Sequence, residues 1–286
     1  MSKVLVTGAN GYIGQHVVKA LLNKGHEVLA VDLVNVGIDS RATFINKSIF
    51  NENDGIYKEL QEPDVCIHLA WRDGFRHNSQ NHMGDLSAHF QFLFNMIKGG
   101  LKNLAVIGTM HEVGYWEGAV DENTPCNPLS QYGIAKNALR QSLLLLGKEF
   151  NVNIFWLRAF YILGDEKRSS SIFGKILLAE EEGKKEFPFT SGKNLYDFID
   201  VDMLAEEIAE ASTQTEVTGV INVCTGKPVS LAQRVETFIN DHNLKIKLKY
   251  GVFPDRPYDS HGIWGDADKI NSIMSKEKSS EGGFKK

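Results

Sequence analysis

Cysteine is scarce in this chain: Cys66, Cys126 and Cys224 are its only three. They stand far apart, form no CxxC pair and are odd in number. Neither a disulfide framework nor a zinc site is expected, and a reducing cytoplasm suits them. Long apolar runs are absent too. No stretch approaches the roughly 18 consecutive apolar residues of a membrane span. The polar turn in MSKVLVTGANG stands where a signal peptide would carry its apolar core. An excess of positive charge is also missing. Against 36 Asp and Glu stand 31 Lys and Arg, a net charge of −5, which removes the bulk electrostatic case for nucleic acid binding. What remains is ordinary globular composition over 286 residues, 42% hydrophobic and 23% charged. That length allows one large α/β domain, or one domain and a small lobe. The expectation is a soluble cytoplasmic protein with no metal, no membrane partner and no nucleic-acid partner.

Short apolar runs punctuate the chain at regular intervals. Val4–Val6 stops at Thr7-Gly8, and Val28–Val31 closes on Asp32. Runs at 43–45, 65–69, 104–107, 153–157 and 220–223 continue the rhythm. Between the first two, Ile13, Val17, Val18, Leu21 and Leu22 recur at helical spacing, and further helices are predicted near 85–98, 131–150 and 203–212. Nearly continuous apolar strands alternating with helices predict an α/β fold, a doubly wound parallel sheet with right-handed crossovers.

Thr7-Gly8-Ala9-Asn10-Gly11-Tyr12-Ile13-Gly14 sets three glycines between the first strand and the first helix. Gly8 suits a tight turn, Gly11 lets a backbone approach a pyrophosphate, and Gly14 allows close packing of helix on strand. The helix N-terminus then offers N–H groups and a positive dipole end to an anion. Asp32, 18 residues after Gly14, ends the next strand, where a carboxylate can hold an adenosine ribose diol. It would repel a 2′-phosphate, so NAD is favoured and NADP stays open. Residues 1–164 are therefore read as a Rossmann-type NAD(P)-binding domain, with sheet contributions from about 195–225. Composition changes after residue 164. Residues 165–286 are read mainly as a smaller C-terminal substrate-binding lobe ending in a polar, disordered tail from about 275.

Tyr132 and Lys136 stand at i and i+4, on one face of a predicted helix. A lysine ammonium near a phenol favours phenolate, so it is expected to lower the Tyr132 pKa and give a usable proton donor or acceptor. Upstream, the run 104–107 leads through Gly108 to Thr109. A hydroxyl at a strand's carboxyl end lies in the crevice where ligands bind open α/β sheets. Trp71, Arg72, Phe75, Arg76 and His77 follow another strand end, where aromatic and basic side chains suit a hexose, a base or a phosphate. An exposed loop with incidental charge is the other reading.

On these motifs the chain resembles the extended short-chain dehydrogenase/reductases, within the NAD-dependent epimerase/dehydratase family acting on nucleotide sugars. TGANGYIG, Asp32, His68-Leu69-Ala70, the Thr109 strand end, Tyr132/Lys136, Leu157-Arg158 with Gly164, and Asp197 to Ala205 occur in family order. The resemblance implies a pyrophosphate held by Gly8, Asn10, Gly11, Tyr12, Ile13 and Gly14. It implies an adenosine end at Asp32 and Leu33, and a cofactor edge lined by Leu69, Ala70 and Trp71. It makes Thr109, Tyr132 and Lys136 the catalytic set, with Lys136 also on the nicotinamide ribose. Arg256 would face the sugar nucleotide's phosphates, and Tyr161 stands where a substrate-binding Asn is common.

Two departures shape the expected reaction. The family's 4,6-dehydratases carry an Asp-Glu pair directly after the catalytic Thr, and this chain has Met110-His111 instead. His111 is then either an added acid or base that touches the sugar, or a packed loop histidine. Asp85 and His89 are also atypical for the family. The expected activity is reduction of the 4-keto group of a nucleoside diphosphate 4-keto-6-deoxyhexose, with a nucleotide-sugar 4-epimerase holding tightly bound NAD as the alternative. A non-catalytic dinucleotide sensor is disfavoured by the intact Thr, Tyr and Lys. Apolar residues such as Phe90, Phe94 and Leu143 to Leu146 on two helices point to a homodimer, or to helices buried within one subunit.

Overall fold

A computed structural model of the chain describes residues 1–50, 54–164, 171–254 and 259–281. From the N-terminus, β1 (Lys3–Thr7) leads through α1 (Tyr12–Asn23) to β2 (Glu27–Asp32) and β3 (Thr43–Asn46). The short α2 (Ile56–Glu59) precedes β4 (Val65–His68), and α3 (Asn81–Gly84) and α4 (Leu86–Gly99) precede β5 (Asn103–Thr109). Then come β6 (Gly118–Val120), α5 (Gln131–Phe150), β7 (Asn153–Ala159) and β8 (Tyr161–Leu163). The remainder runs through α6 (Ile172–Glu181), β9 (Glu186–Pro188), β10 (Leu195–Asp200), α7 (Val201–Thr213) and β11 (Gly219–Val223). It closes with β12 (Pro228–Ser230), α8 (Leu231–Asp241), β13 (Lys247–Lys249), β14 (Gly262–Gly265) and α9 (Asp268–Glu281).

Seven strands form one sheet in the order β11-β7-β5-β4-β1-β2-β3, with every neighbour parallel. Val4 is level with Val28 on one side and Val65 on the other. The fold is the expected Rossmann-type arrangement. Its strands read as unbroken apolar runs because both faces are covered: Val4, Leu5 and Val6 are fully buried, with side chains divided between two core clusters. The order in which strands are added reverses between β1 and β4, and there the carboxyl ends of β1, β4 and β5 open a crevice.

Two boundaries differ from expectation. From the region 195–225 only β11 joins the main sheet. β10 pairs instead with β8, β12 and β14 in a second sheet that ends at β6. The Asp197 to Ala205 segment still folds as strand then helix, β10 into α7, because Asp200 caps the helix by accepting from the Asp202 amide at 2.9 Å. The polar tail is helical over its first part, since α9 continues to Glu281, while 282–286 lie outside the described residues.

Candidate active site

The glycine turn is held from both sides. Gly8 sits at φ +70°, and its amide donates to the Val31 carbonyl at 3.0 Å. A side chain there would place Cβ 2.6 Å from the Ala70 amide nitrogen. At Gly14 a Cβ would overlap the Gly8 carbonyl oxygen and lie 2.9 Å from Ala9. These close approaches leave room only for glycine and press α1 onto the strand ends. No side chain caps α1 and no acidic residue stands in its first turn, so its positive end faces the crevice. A cradle that Cβ atoms would fill, in front of an uncapped helix, fits a pyrophosphate.

At the end of β2 the Asp32 carboxylate accepts from the Asn10 amide at 3.0 Å and from the Leu33 amide at 2.7 Å. Asn10 also accepts, through its side-chain oxygen, from the Val36 amide at 2.8 Å. Asp32, Asn10 and Leu33 are thus tied to one another beside the turn, with Leu33 exposed. Tyr12 and Ile13 line the crevice, and the Tyr12 hydroxyl donates to the Gly164 carbonyl at 2.5 Å.

A cleft of about 870 Å³ runs from this turn across the carboxyl ends of β4 and β5. Thr109, Tyr132 and Lys136 share its wall, facing Leu69 and Trp71. Ser130 caps α5 by accepting from the Gly133 amide at 3.1 Å, which starts the helix so that Tyr132 and Lys136 look into the cleft. Lys136 is almost fully buried. Its ammonium donates to the Ile107 carbonyl at 2.9 Å and lies 3.9 Å from the Trp71 ring centre, a cation–π contact. Burial pulls its pKa down to about 7, opposed by the Glu112 charge.

The expected lowering of the Tyr132 pKa by Lys136 is not what the structure has. Burial raises the phenol above its ordinary value, and the Thr109 hydroxyl, donating to it, opposes the rise. The ammonium stands 6.0 Å from the Tyr132 ring centre and is engaged by Ile107 and Trp71, so desolvation dominates.

Behind Thr109 lies a buried network that the sequence did not reveal. Glu112 accepts from the Thr109 amide at 2.7 Å and from Trp156 Nε1 at 2.9 Å, with Arg158 and Arg140 each at 3.6 Å. The Thr109 hydroxyl accepts from the His111 amide at 3.3 Å, and together these bonds fix the single 3-10 turn 110–112. Glu112 has no exposure, so the nearest carboxylate after Thr109 faces the core and not the cleft.

The segment 71–81 forms the opposite rim. Asp73, at φ +60°, accepts from Ser79 Oγ and Asn81 Nδ2, both at 2.7 Å, and from Arg76 at 2.5 Å. The His77 carbonyl accepts the Tyr132 amide at 2.9 Å, pinning the loop to the start of α5. Arg76 and Tyr161 line the cleft, with Tyr161 4.5 Å from the Tyr196 ring. Arg72 does not: its guanidinium grips Asp85 at 2.5 and 2.8 Å, and the residue is outside the cleft lining. A bidentate carboxylate pair already satisfies that fork. Ala70 packs under Gly8, and Arg256 lies outside the described residues.

His111 lines the cleft, and burial holds its pKa near 4, so at neutral pH it is an uncharged hydrogen-bonding ring. Two further histidines are buried behind Trp71. Thr7 Oγ1 meets His68 Nδ1 at 2.9 Å, and His68 Nε2 meets His89 Nδ1 at 3.0 Å. His89 stacks on Trp71 with ring centres 4.3 Å apart, so Trp71 is sandwiched between an imidazole and the Lys136 ammonium. A second cavity of about 570 Å³ adjoins the cleft across Ile172 and Leu231, walled by Phe187, Phe189 and Phe253 with Lys175 and Lys184. Among the described residues no cluster of metal-ligating side chains occurs, and no helix is long and apolar enough to cross a membrane.

Comparison with known proteins agrees with this geometry. The model of the NAD dependent epimerase/dehydratase family matches residues 4–224. A dTDP-6-deoxy-L-talose 4-dehydrogenase (NAD(+)) of Aggregatibacter actinomycetemcomitans is 46% identical over 267 residues, covering 92% of this chain and 98% of that protein. A UDP-glucuronic acid 4-epimerase from Bacillus cereus, solved with UDP-glucuronic acid and NAD, is 25% identical with a TM-score of 0.81, covering 96% of this chain and 93% of that one. A UDP-glucose 4-epimerase from Stenotrophomonas maltophila, at 19% identity and a TM-score of 0.84, covers 96% of this chain and 93% of its own and shares the fold.

Proposed function

Because the chain belongs to the NAD-dependent epimerase/dehydratase family, we propose that it is an NAD-dependent nucleotide-sugar 4-oxidoreductase. Its substrate pair is a 6-deoxyhexose and its 4-keto form on a nucleoside diphosphate, with dTDP-6-deoxy-L-talose as the sugar nucleotide to try first. One observation carries the reading: Thr109, Tyr132 and Lys136 share the wall of a cleft that begins at the glycine turn.

When bound, NAD supplies the hydride acceptor or donor for the sugar C4. This chain's residues supply the rest. Tyr132 moves the proton at the C4 oxygen, and Thr109, fixed from behind by Glu112, orients that oxygen. Lys136 holds the ribose end and keeps a cation near the developing phenolate. Trp71, Phe160 and Phe198 keep water from the reacting centre. The adjoining aromatic cavity with its two lysines suits the nucleoside and its phosphates, in the lobe built by α6, β9, α8 and β13.

NAD is favoured over NADP because the Asp32 carboxylate at the end of β2 would repel a 2′-phosphate. The nearest arginine along the chain, Arg41, is bound to Asp39 at 2.7 Å and to Asn23 at 3.0 Å. Dehydration is disfavoured because Glu112 is turned to Trp156 and two arginines. We also propose a homodimer through the outer faces of α4 and α5, where Leu145 is 68% exposed and Phe90 and Phe94 are only partly covered, and a cytoplasmic setting that suits three free cysteines. Size-exclusion chromatography with light scattering tests the dimer.

The function is tested by mixing purified protein, dTDP-6-deoxy-L-talose and NAD while following absorbance of the reduced nicotinamide. Reduced cofactor should form one-to-one with the 4-keto sugar. Inversion at C4 without net cofactor reduction makes the protein an epimerase, and no change in either sugar or cofactor sinks the reading.

A further inference from the structure

Two imidazoles in the cleft have no role in the reaction outlined above. His77 comes from the 71–81 loop and His111 from the turn after β5, and their rings stand 4.2 Å apart. His77 lies almost parallel to the Tyr132 ring at 5.5 Å, with an interplanar angle of 19°. His111 is 6.2 Å from the same ring. Both line the cleft.

Their ring nitrogens differ from those of the other cleft-side histidines. His68, His82 and His89 each spend ring nitrogens on protein partners: Thr7, Trp71, the Arg76 carbonyl, or one another. Among the described residues, no hydrogen bond is formed by the His77 or His111 rings. Partly buried nitrogens without partners are satisfied when a ligand brings its own donors and acceptors. Burial lowers both pKa values, so each ring is neutral near pH 7 and carries one N–H donor and one nitrogen acceptor. Side by side they offer two donors and two acceptors, the complement of two hydroxyl groups. Neutral rings have little to offer a phosphate.

Both rings are also held in register with the reacting groups. The His77 carbonyl accepts the Tyr132 amide, and the His111 amide donates to Thr109 Oγ1. The Asp73 hub with Ser79, Asn81 and Arg76 keeps the loop from drifting. At Gly133 a Cβ would overlap the His111 carbonyl, so the α5 start and the His111 turn are in direct contact.

Resting on the nucleotide-sugar reading, we propose that His77 and His111 form a diol-reading pair that binds two hexose hydroxyls, the one at C3 next to the reacting carbon and the one at C2 a carbon further round the ring. In a 6-deoxyhexose the C3 neighbour of C4 carries a hydroxyl, with the C2 hydroxyl beyond it, and the C5 neighbour carries a methyl group. Holding the hydroxyl edge decides which face of C4 is presented for hydride transfer, so the pair determines specificity as well as affinity.

Binding tests this independently of turnover. Calorimetry with NAD present compares dTDP-6-deoxy-L-talose, its 2-deoxy and 3-deoxy analogues, and dTDP alone, on wild type, His77→Phe and His77→Gln. Losing one neutral hydrogen bond corresponds to about a tenfold weaker Kd. Wild type should bind the intact sugar about tenfold more tightly than an analogue lacking one of these hydroxyls. His77→Phe should lose that discrimination, and His77→Gln, which keeps a donor and an acceptor, should retain most of it. NAD affinity, unchanged in both variants, shows that the site is folded. Equal discrimination in wild type and His77→Phe overturns the pair, and so does a wild type that binds the dTDP sugar no better than dTDP. Discrimination without turnover leaves the pair standing and sinks only the proposed reaction.

Discussion

Glu207 is a buried carboxylate outside the cleft, and its removal should reshape the dependence of stability on pH. It sits on α7 at 2% exposure, and one carboxylate oxygen has no partner among the described residues. Burial pushes its pKa up to about 8 from an ordinary 4.5; the Cys224 amide opposes the rise and the Asp197 charge adds to it. The folded state therefore holds a proton that the unfolded chain releases. Stability from this group is full below pH 4.5 and is lost as pH rises towards 8. At about 1.4 kcal/mol per unit, a rise of that size corresponds to about 5 kcal/mol lost across the window. In Glu207→Gln the group cannot ionise, at the expense of amide N–H donors without an acceptor, about 1–3 kcal/mol at every pH. The variant should be the less stable protein at pH 5 and the more stable one at pH 8.5. Urea unfolding of both proteins at half-unit steps measures this, and the difference between the two curves cancels every other titrating group. Parallel curves would refute the reasoning, because they would mean that Glu207 reaches water or a cation in the folded protein.

Tyr132→Phe removes the proton carrier and should lower kcat by about 10²- to 10⁴-fold while leaving the Kd for NAD within about twofold; steady-state kinetics and calorimetry read the two separately. Gly14→Ala forces a methyl group against the Gly8 carbonyl. It should cost about 1–3 kcal/mol and weaken NAD binding, seen as a lower melting temperature with a smaller rise on adding NAD. His89, almost fully buried, is held near pKa 3 by burial, with the Lys136 charge adding to the effect. Since the unfolded chain takes up that proton first, its contribution is present above pH 6.5 and is lost as pH falls towards 3, up to about 5 kcal/mol. His89→Asn should therefore flatten the acid limb of a stability–pH curve, and an unchanged limb would count against it.

Several parts of the site are legible in the sequence. The glycine turn is legible because Gly8 needs a positive φ and Gly14 needs the space of a Cβ, and both demands are met within eight residues of chain. Tyr132 and Lys136 are legible because helical periodicity alone puts them on one face. Arg72 was misread for a reason of the same kind in reverse: its partner Asp85 is 13 positions away, across a loop whose path no local pattern predicts. Likewise β10 carries the apolar signature of a sheet strand, but pairing with β8, β12 and β14 assigns it to the second sheet. Glu112 carries no local pattern that singles it out, and only the approach of Trp156, Arg140 and Arg158 from elsewhere makes it the support of Thr109.

Backbone torsion, strand alternation with helix, and i,i+4 spacing are local properties, so the order of residues by itself determined the doubly wound sheet, the glycine turn and the placing of Tyr132 and Lys136 on one helix face. Charge state and partner choice are not local. They depend on which groups lose water together, and that was decided by the tertiary fold. It holds Lys136 against Ile107 and Trp71, raises the Tyr132 pKa instead of lowering it, and brings His77 from a distant loop to within 4.2 Å of His111.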